Sequence, residues 1–264
     1  MLRHVYRRAA VAAAVLVALC TTARWAPAQP PPTPLRAQVI ESYPHDHDAF
    51  TQGLLLHDGS LYESTGLYGR SSVRQVELQT GRVIKRVDLP PELFGEGLAE
   101  AGGRLVQLTW RQGVAPTYDL ATLARNGEFK FAGEGWGLCY DGQQFIQSDG
   151  SNRLTFRDPA TFAVTRQLAV SQEGRPVNAL NELECVGDTV YANVWLTDRI
   201  VAISTANGAV RADIDASGLL TPAERAASGP DAILNGIAHD PATNTFLLTG
   251  KLWPKLFRVR FVPR

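Results

Sequence analysis

The sequence predicts an all-β protein, a five-bladed β-propeller, from three observations. Glycine is frequent, at 23 of 264 residues, while long amphipathic stretches of helical period are scarce. Short runs such as "RLVQLTW", "QQFIQS", "TVYANVW", "RIVAIS" and "TFLLTG" read as strands separated by turns. One phrase also recurs five times: "QGLLLHDGSLYEST", "EGLAEAGGRLVQLTW", "WGLCYDGQQFIQSD", "NELECVGDTVYANVW" and "NGIAHDPATNTFLLTG". A period near 45 residues with hairpins inside each unit is the pattern of propeller blades, which bury their faces by stacking around an axis. A β-sandwich is the rival architecture, and it does not account for a fivefold phrase.

Taken in chain order, the first element is a leader, residues 1–28. A basic "MLRHVYRR" precedes the apolar "AAVAAAVLVALC", and "APA" at Ala26–Ala28 fits a small-residue cleavage site. The apolar run is shorter than a membrane span. The expectation is an exported protein, periplasmic or secreted, with no membrane association once the leader is cut. Residues 29–38, with the tract "QPPPTPLR", read as an extended proline-rich tether. Residues 39–264 then form the propeller domain, a length that builds one sizeable core.

Within that domain the aligned apolar residues of the phrase are Leu54, Leu98, Leu138, Leu183 and Ile237. Their spacing is regular until the last interval, where "DASGLLTPAERAASGPDAILN" intervenes. In that insertion Thr221, Pro222 and Glu224 have the order of a helix cap and first turn. Cutting the leader removes Cys20 and leaves Cys139 and Cys185, and their sequence positions leave both a disulfide and two buried free thiols open. Basic and acidic residues balance at 26 each, and no basic block lies outside the leader, so nucleic acid is not an expected partner.

Repetition also predicts a site. The residues two before the aligned Leu or Ile are Gln52, Glu96, Trp136, Asn181 and Asn235, and corresponding positions of a repeat ring one mouth of the central channel. Glycines after four of them permit close backbone approach. A second set at the far end of the next strand, Glu63, Trp110, Asp149, Trp195 and Lys251, is expected to rise toward the same mouth, because antiparallel neighbours place the end of one strand beside the start of the other. Tryptophans, two glutamates, a lysine and an asparagine then form an aromatic cage with acid, base and oxyanion-type donors. Each has a plain alternative: packing for a tryptophan, a surface ion pair for Glu63, a turn for Glu96 or Asn181, a solvated charge for Lys251. In "YPHDHDAF" only His45 and His47 make a plausible ligand pair, short of the three or four that zinc takes. No metal and no cofactor is expected.

The phrases "AFTQGL", "LYESTGLYGRSSVR", "FGEGL", "LVQLTW", "EGWGL", "LNELE", "NVW", "LNGIA" and "TGKLWPKLF" together resemble the plant and bacterial type of glutaminyl-peptide cyclotransferase, from Val39 to about Phe261. The resemblance implies a five-bladed propeller that converts the N-terminal glutamine of peptides to pyroglutamate with release of ammonia. It places the family's essential glutamate on Glu96 and a second glutamate on Glu63. It places the pocket aromatics on Trp110, Trp136 and Trp195, the substrate-holding residues on Asn181 and Lys251, and the glutamine of "FTQG" on Gln52. The partners it implies are peptides or proteins with N-terminal glutamine, met by a monomer. Rival expectations are a non-catalytic peptide-binding propeller and a metal-dependent propeller lactonase.

Overall fold

Each copy of the recurring phrase folds as a β-hairpin. The computed structural model describes residues 30–264; the leader, 1–28, lies outside the described residues. In chain order the strands are β1 (Thr33–Pro44), then β2 (Thr51–His57), β3 (Ser60–Thr65), β4 (Ser72–Val76) and β5 (Val83–Asp88) of the first unit. The second unit holds β6 (Gly95–Ala101), β7 (Arg104–Thr109), β8 (Val114–Asp119) and β9 (Arg125–Lys130). The third holds β10 (Leu138–Tyr140), β11 (Phe145–Gln147), β12 (Arg153–Arg157) and β13 (Val164–Ala169), followed by a small hairpin, β14 (Ser171–Gln172) and β15 (Arg175–Pro176). The fourth holds β16 (Leu180–Val186), β17 (Thr189–Val194), β18 (Arg199–Ser204) and β19 (Val210–Asp215). Helix α1 (Pro222–Ser228) precedes β20 (Leu234–Asp240), β21 (Thr245–Gly250) and β22 (Lys255–Pro263).

The five-bladed propeller expected from the repeat is corrected by the order of the strands. The first three units are separate four-stranded antiparallel sheets, but the last two are one eight-stranded sheet, β16-β17-β18-β19-β1-β22-β21-β20. Its end strands, β16 and β20, lie against each other, so this sheet is nearly closed. The cause is β1. The final unit has only three strands of its own, and β1 completes it antiparallel to β22. The 12-residue strand is long enough to pair in parallel with β19 as well, through Thr33 to Arg36. Residues 33–38, read from their prolines as a tether, are therefore the first half of a paired strand.

The aligned residues Leu54, Leu98, Leu138, Leu183 and Ile237 are all buried, and burying such a side chain contributes about 1.5–3 kcal/mol. Apolar clusters lie between consecutive units: Tyr62 and Val73 meet Leu98 and Leu105, and Val106 and Leu108 meet Leu138 and Phe145. Ile146 and Phe156 meet Leu183 and Val190. Cys139 of β10 and Cys185 of β16 are joined by a disulfide, resolving the open alternative and tying the third unit to the fourth. Thr221 caps α1 with a full capping box to Glu224, as its sequence predicts.

The first strands of the units are neighbours, β2 beside β6, β6 beside β10, β10 beside β16 and β20 beside β2. The glycine of the phrase permits this. A Cβ on Gly97 would stand 2.4 Å from the nitrogen of Leu138, and one on Gly137 would stand 2.0 Å from the carbonyl oxygen of Asn181. In the fourth unit Glu182 replaces this glycine, and its carboxyl oxygens accept from the amides of Leu54 at 3.2 Å and Ile237 at 2.8 Å.

Candidate active site

The start of each first strand and the residue just past each second strand meet at one opening. One backbone hydrogen bond repeats there: Gly66 N–H to Phe50, Trp110 to Phe94, Trp195 to Ala179 and Lys251 to Ile233, at 2.8–3.0 Å. It sets Trp110, Trp195 and Lys251 at equivalent places, each one residue beyond a strand. The cavity they enclose measures about 300 Å³ and is lined by Phe50, Gln52, Leu67, Phe94, Glu96, Trp110, Trp136, Asn181, Trp195 and Lys251. That is the small end of the ligand-pocket range, with apolar walls and few polar groups. A larger groove, about 450 Å³, runs past Gln172, Arg175 and Arg199, but it is an open, ion-paired surface with no buried charge in it.

The site's aromatic wall is interlocked. Trp136 meets Trp195 edge to face with centroids 5.4 Å apart, and Phe94 lies 5.7 Å from Trp110 and 6.2 Å from Phe50. Gly66 makes room for this wall, since a Cβ there would lie 2.4 Å from the Phe94 ring. Gly150 does the same for the Trp136 indole. Glu134 accepts from both indole N–H groups, Trp110 at 2.8 Å and Trp136 at 3.0 Å.

Glu96 is 5% exposed and forms the polar floor. The Gln52 side-chain amide donates to its Oε1 at 3.1 Å. Asn235 fixes that amide's direction, donating to Gln52 Oε1 at 3.0 Å and to the Thr51 carbonyl at 2.9 Å. Burial pushes the Glu96 carboxyl well above its ordinary value; Lys251 opposes the shift and the charge of Glu134 adds to it. Burial likewise lowers the Lys251 ammonium, which Glu96 and Asp231 partly restore. The Lys251 Nζ sits 4.7 Å from the Phe50 ring centre.

Of the residues expected at the site, Gln52, Glu96, Trp110, Trp136, Asn181, Trp195 and Lys251 line this one cavity. Glu63 does not. It lies inside β3 with no exposure, where Arg74 meets its Oε2 at 2.7 Å while Thr51 Oγ1 and His45 Nε2 meet its Oε1 at 2.6 and 3.0 Å. Burial raises its carboxyl, but Arg74 and His45 outweigh that and hold it well below the carboxylate range. The expectation that Glu63 rises to the mouth is corrected: the first unit's equivalent of Trp110 is Gly66. Asp149 turns instead to Ser151. "HDHD" forms a turn, and among the described residues no group of three or more His, Cys, Asp or Glu has a metal-holding arrangement. Phe50, Phe94 and Glu134 were missed, although Phe50 and Phe94 stand two residues before Gln52 and Glu96, a signal available in the repeat.

A family model described as glutamine cyclotransferase matches residues 10–261. The chain belongs to the glutamine cyclotransferase family. It is 44% identical over 229 residues to the glutaminyl-peptide cyclotransferase of Arabidopsis thaliana, covering 84% of this chain and 70% of that one. The crystal structure of Myxococcus xanthus glutaminyl cyclase superposes with a TM-score of 0.83 at 40% identity, over 88% of this chain and 99% of that one. Cyclotransferase chemistry joins an amine to a side-chain amide within one substrate, and a small apolar cavity with a single buried carboxyl at its floor is suited to it.

Proposed function

We propose that the protein is a glutaminyl-peptide cyclotransferase, converting the N-terminal glutamine of peptides to pyroglutamate and releasing ammonia. The observation that carries the reading is Glu96, a buried carboxyl of raised pKa facing Asn181, Lys251 and three indoles across one small cavity. The substrate's α-amine attacks its own side-chain amide carbon. A C–N bond forms to close the five-membered ring, and the bond to the amide nitrogen breaks.

Glu96, whose protonated form burial favours, delivers its proton to the departing nitrogen, which leaves as ammonia, and takes back the proton that the attacking amine loses. Burial raises the Glu96 carboxyl, so it holds a proton more readily than a solvated carboxylate does and exchanges it more easily with an amine. Such transfer contributes ~10²–10⁴ in rate. Asn181 and Lys251 donate to the amide oxygen as it gains charge, and the loss of one such donor costs roughly 3–4 kcal/mol. The indoles fold the flexible side chain into a ring-closing pose, which supplies orientation in place of a protein nucleophile. Glu63 acts from below: it holds Thr51, the neighbour of Gln52.

Export belongs to the same proposal. The basic, apolar and small-residue order of the leader supports it, as does a disulfide of the kind that persists in oxidising compartments. The test of the activity is ammonia release from a Gln-Ala peptide, with an Ala-Gln peptide as control. Wild type turns over the first and not the second, and Glu96→Gln is at least about a hundredfold slower. Near-normal turnover by Glu96→Gln removes the proton-carrier role; turnover of Ala-Gln removes the α-amine as nucleophile.

A further inference from the structure

In the first two units the place two residues before the floor residue is filled by Phe50 and Phe94; in the third it is filled by Glu134. One oxygen of that carboxylate, Oε2, accepts the indole N–H of Trp110 from the second unit and that of Trp136 from the third. The other, Oε1, accepts from Arg111 Nε at 2.9 Å, and the Arg111 guanidinium lies 3.8 Å from the Trp110 ring centre. Trp136 in turn abuts Trp195, so all three indoles of the cavity are referred to one carboxylate.

We propose that Glu134 is a positioning residue that clamps Trp110 and Trp136 so that the cavity is already shaped for a folded glutamine side chain before substrate arrives. The inference rests on the cyclotransferase reading of this cavity. An indole has one donor and no acceptor, and both donors converging on one charged oxygen fix the planes of two rings that van der Waals contact alone leaves free to tilt. Arg111 holds the carboxylate from its solvent side but bonds to neither indole nitrogen.

The test compares Glu134→Ala, Glu134→Gln and Arg111→Met in the full chain with a Gln-Ala peptide. Glu134→Ala is expected to lose about tenfold or more in kcat/KM, mostly through KM, the size of a lost charge-assisted hydrogen bond. Glu134→Gln keeps an acceptor oxygen for the indoles and recovers most of that loss, and Arg111→Met stays within about twofold of wild type because the indole bonds survive. A Glu134→Ala enzyme with wild-type KM overturns the clamp. So does an Arg111→Met loss equal to that of Glu134→Ala, which assigns the effect to the ion pair.

Tryptophan emission without substrate separates this inference from the activity. Glu134→Ala is expected to shift emission to the red and raise acrylamide quenching, with Glu134→Gln close to wild type, whether or not ammonia is released. Unchanged emission in Glu134→Ala overturns the clamp. Should Glu134→Ala fail to fold, Glu134→Asp carries the test. Its charge is intact but one methylene short of spanning both indoles, so KM rises, and a Glu134→Asp enzyme identical to wild type overturns the proposal.

Discussion

Glu63 and Glu96 are buried carboxylates on adjoining units, close enough that the Ser64 hydroxyl donates to the Glu96 carbonyl, yet their surroundings make them opposites. Glu63 has an arginine, a histidine and a threonine around its two oxygens and is held ionised. Glu96 has one neutral amide donor and apolar walls, and burial favours its protonated form. Burial alone therefore says nothing of a carboxyl's task. The partners decide: a fully satisfied carboxylate is a strut, and one left short of donors is ready to exchange a proton.

The comparison breaks most visibly at Arg74. Arg74→Met leaves Glu63 buried without its counter-charge and is expected to cost about 3–5 kcal/mol of stability in urea or thermal unfolding. A loss below about 1 kcal/mol, the range of ordinary surface changes, would mean that the pair is not the strut described. Glu96→Gln sharpens the contrast from the other side. It exchanges a protonated acid for an amide of the same shape, so stability stays within about 1 kcal/mol while turnover collapses. A large drop in melting temperature in Glu96→Gln would return Glu96 to a structural role.

The smallest expected effect is a slope. Glu63, depressed in the fold, contributes stability that is present above the usual carboxylate range and is lost as pH falls below it. Glu96, Glu182 and Glu184 run the other way, because burial keeps their protons in the folded chain while the unfolded chain releases them. Stability from these three falls as pH rises from the ordinary 4.5 through their folded values, about 8 for Glu184. Glu184→Gln is expected to flatten the decline of urea midpoint between these limits; an unchanged slope counts against it.

Much of this was legible in the sequence because the repeat carries register. Five aligned apolar residues marked the buried first strands, and the residues two before them marked the cavity floor. Glu63 was misplaced although the hairpins of the first, second and fourth units are equally long: Trp110, Trp195 and Lys251 each follow their strand, whereas Glu63 sits within β3, and the true equivalent, Gly66, has no side chain to announce it. The joined sheet was illegible for a different reason. A period reports how many hairpins exist but not which distant segment completes a sheet, and the prolines of residues 30–34 argued against pairing. Glu134 was hidden because the same place holds Phe50, Phe94, Ala179 and Ile233 in the other units, and a position that is apolar everywhere else gives no sign of a carboxylate.

Strand β1 is a seam between distant segments of the chain: Leu35 pairs with Pro263 and Pro44 with Lys255. The three four-stranded sheets are each made of consecutive sequence, whereas this one joins Thr33–Pro44 to Lys255–Pro263. Pairing over such a span is slow to nucleate, so the seam forms late and depends on β22. A polypeptide ending before Lys255 leaves β1 without its antiparallel neighbour and β21 with a bare edge, an invitation to pair with another molecule instead.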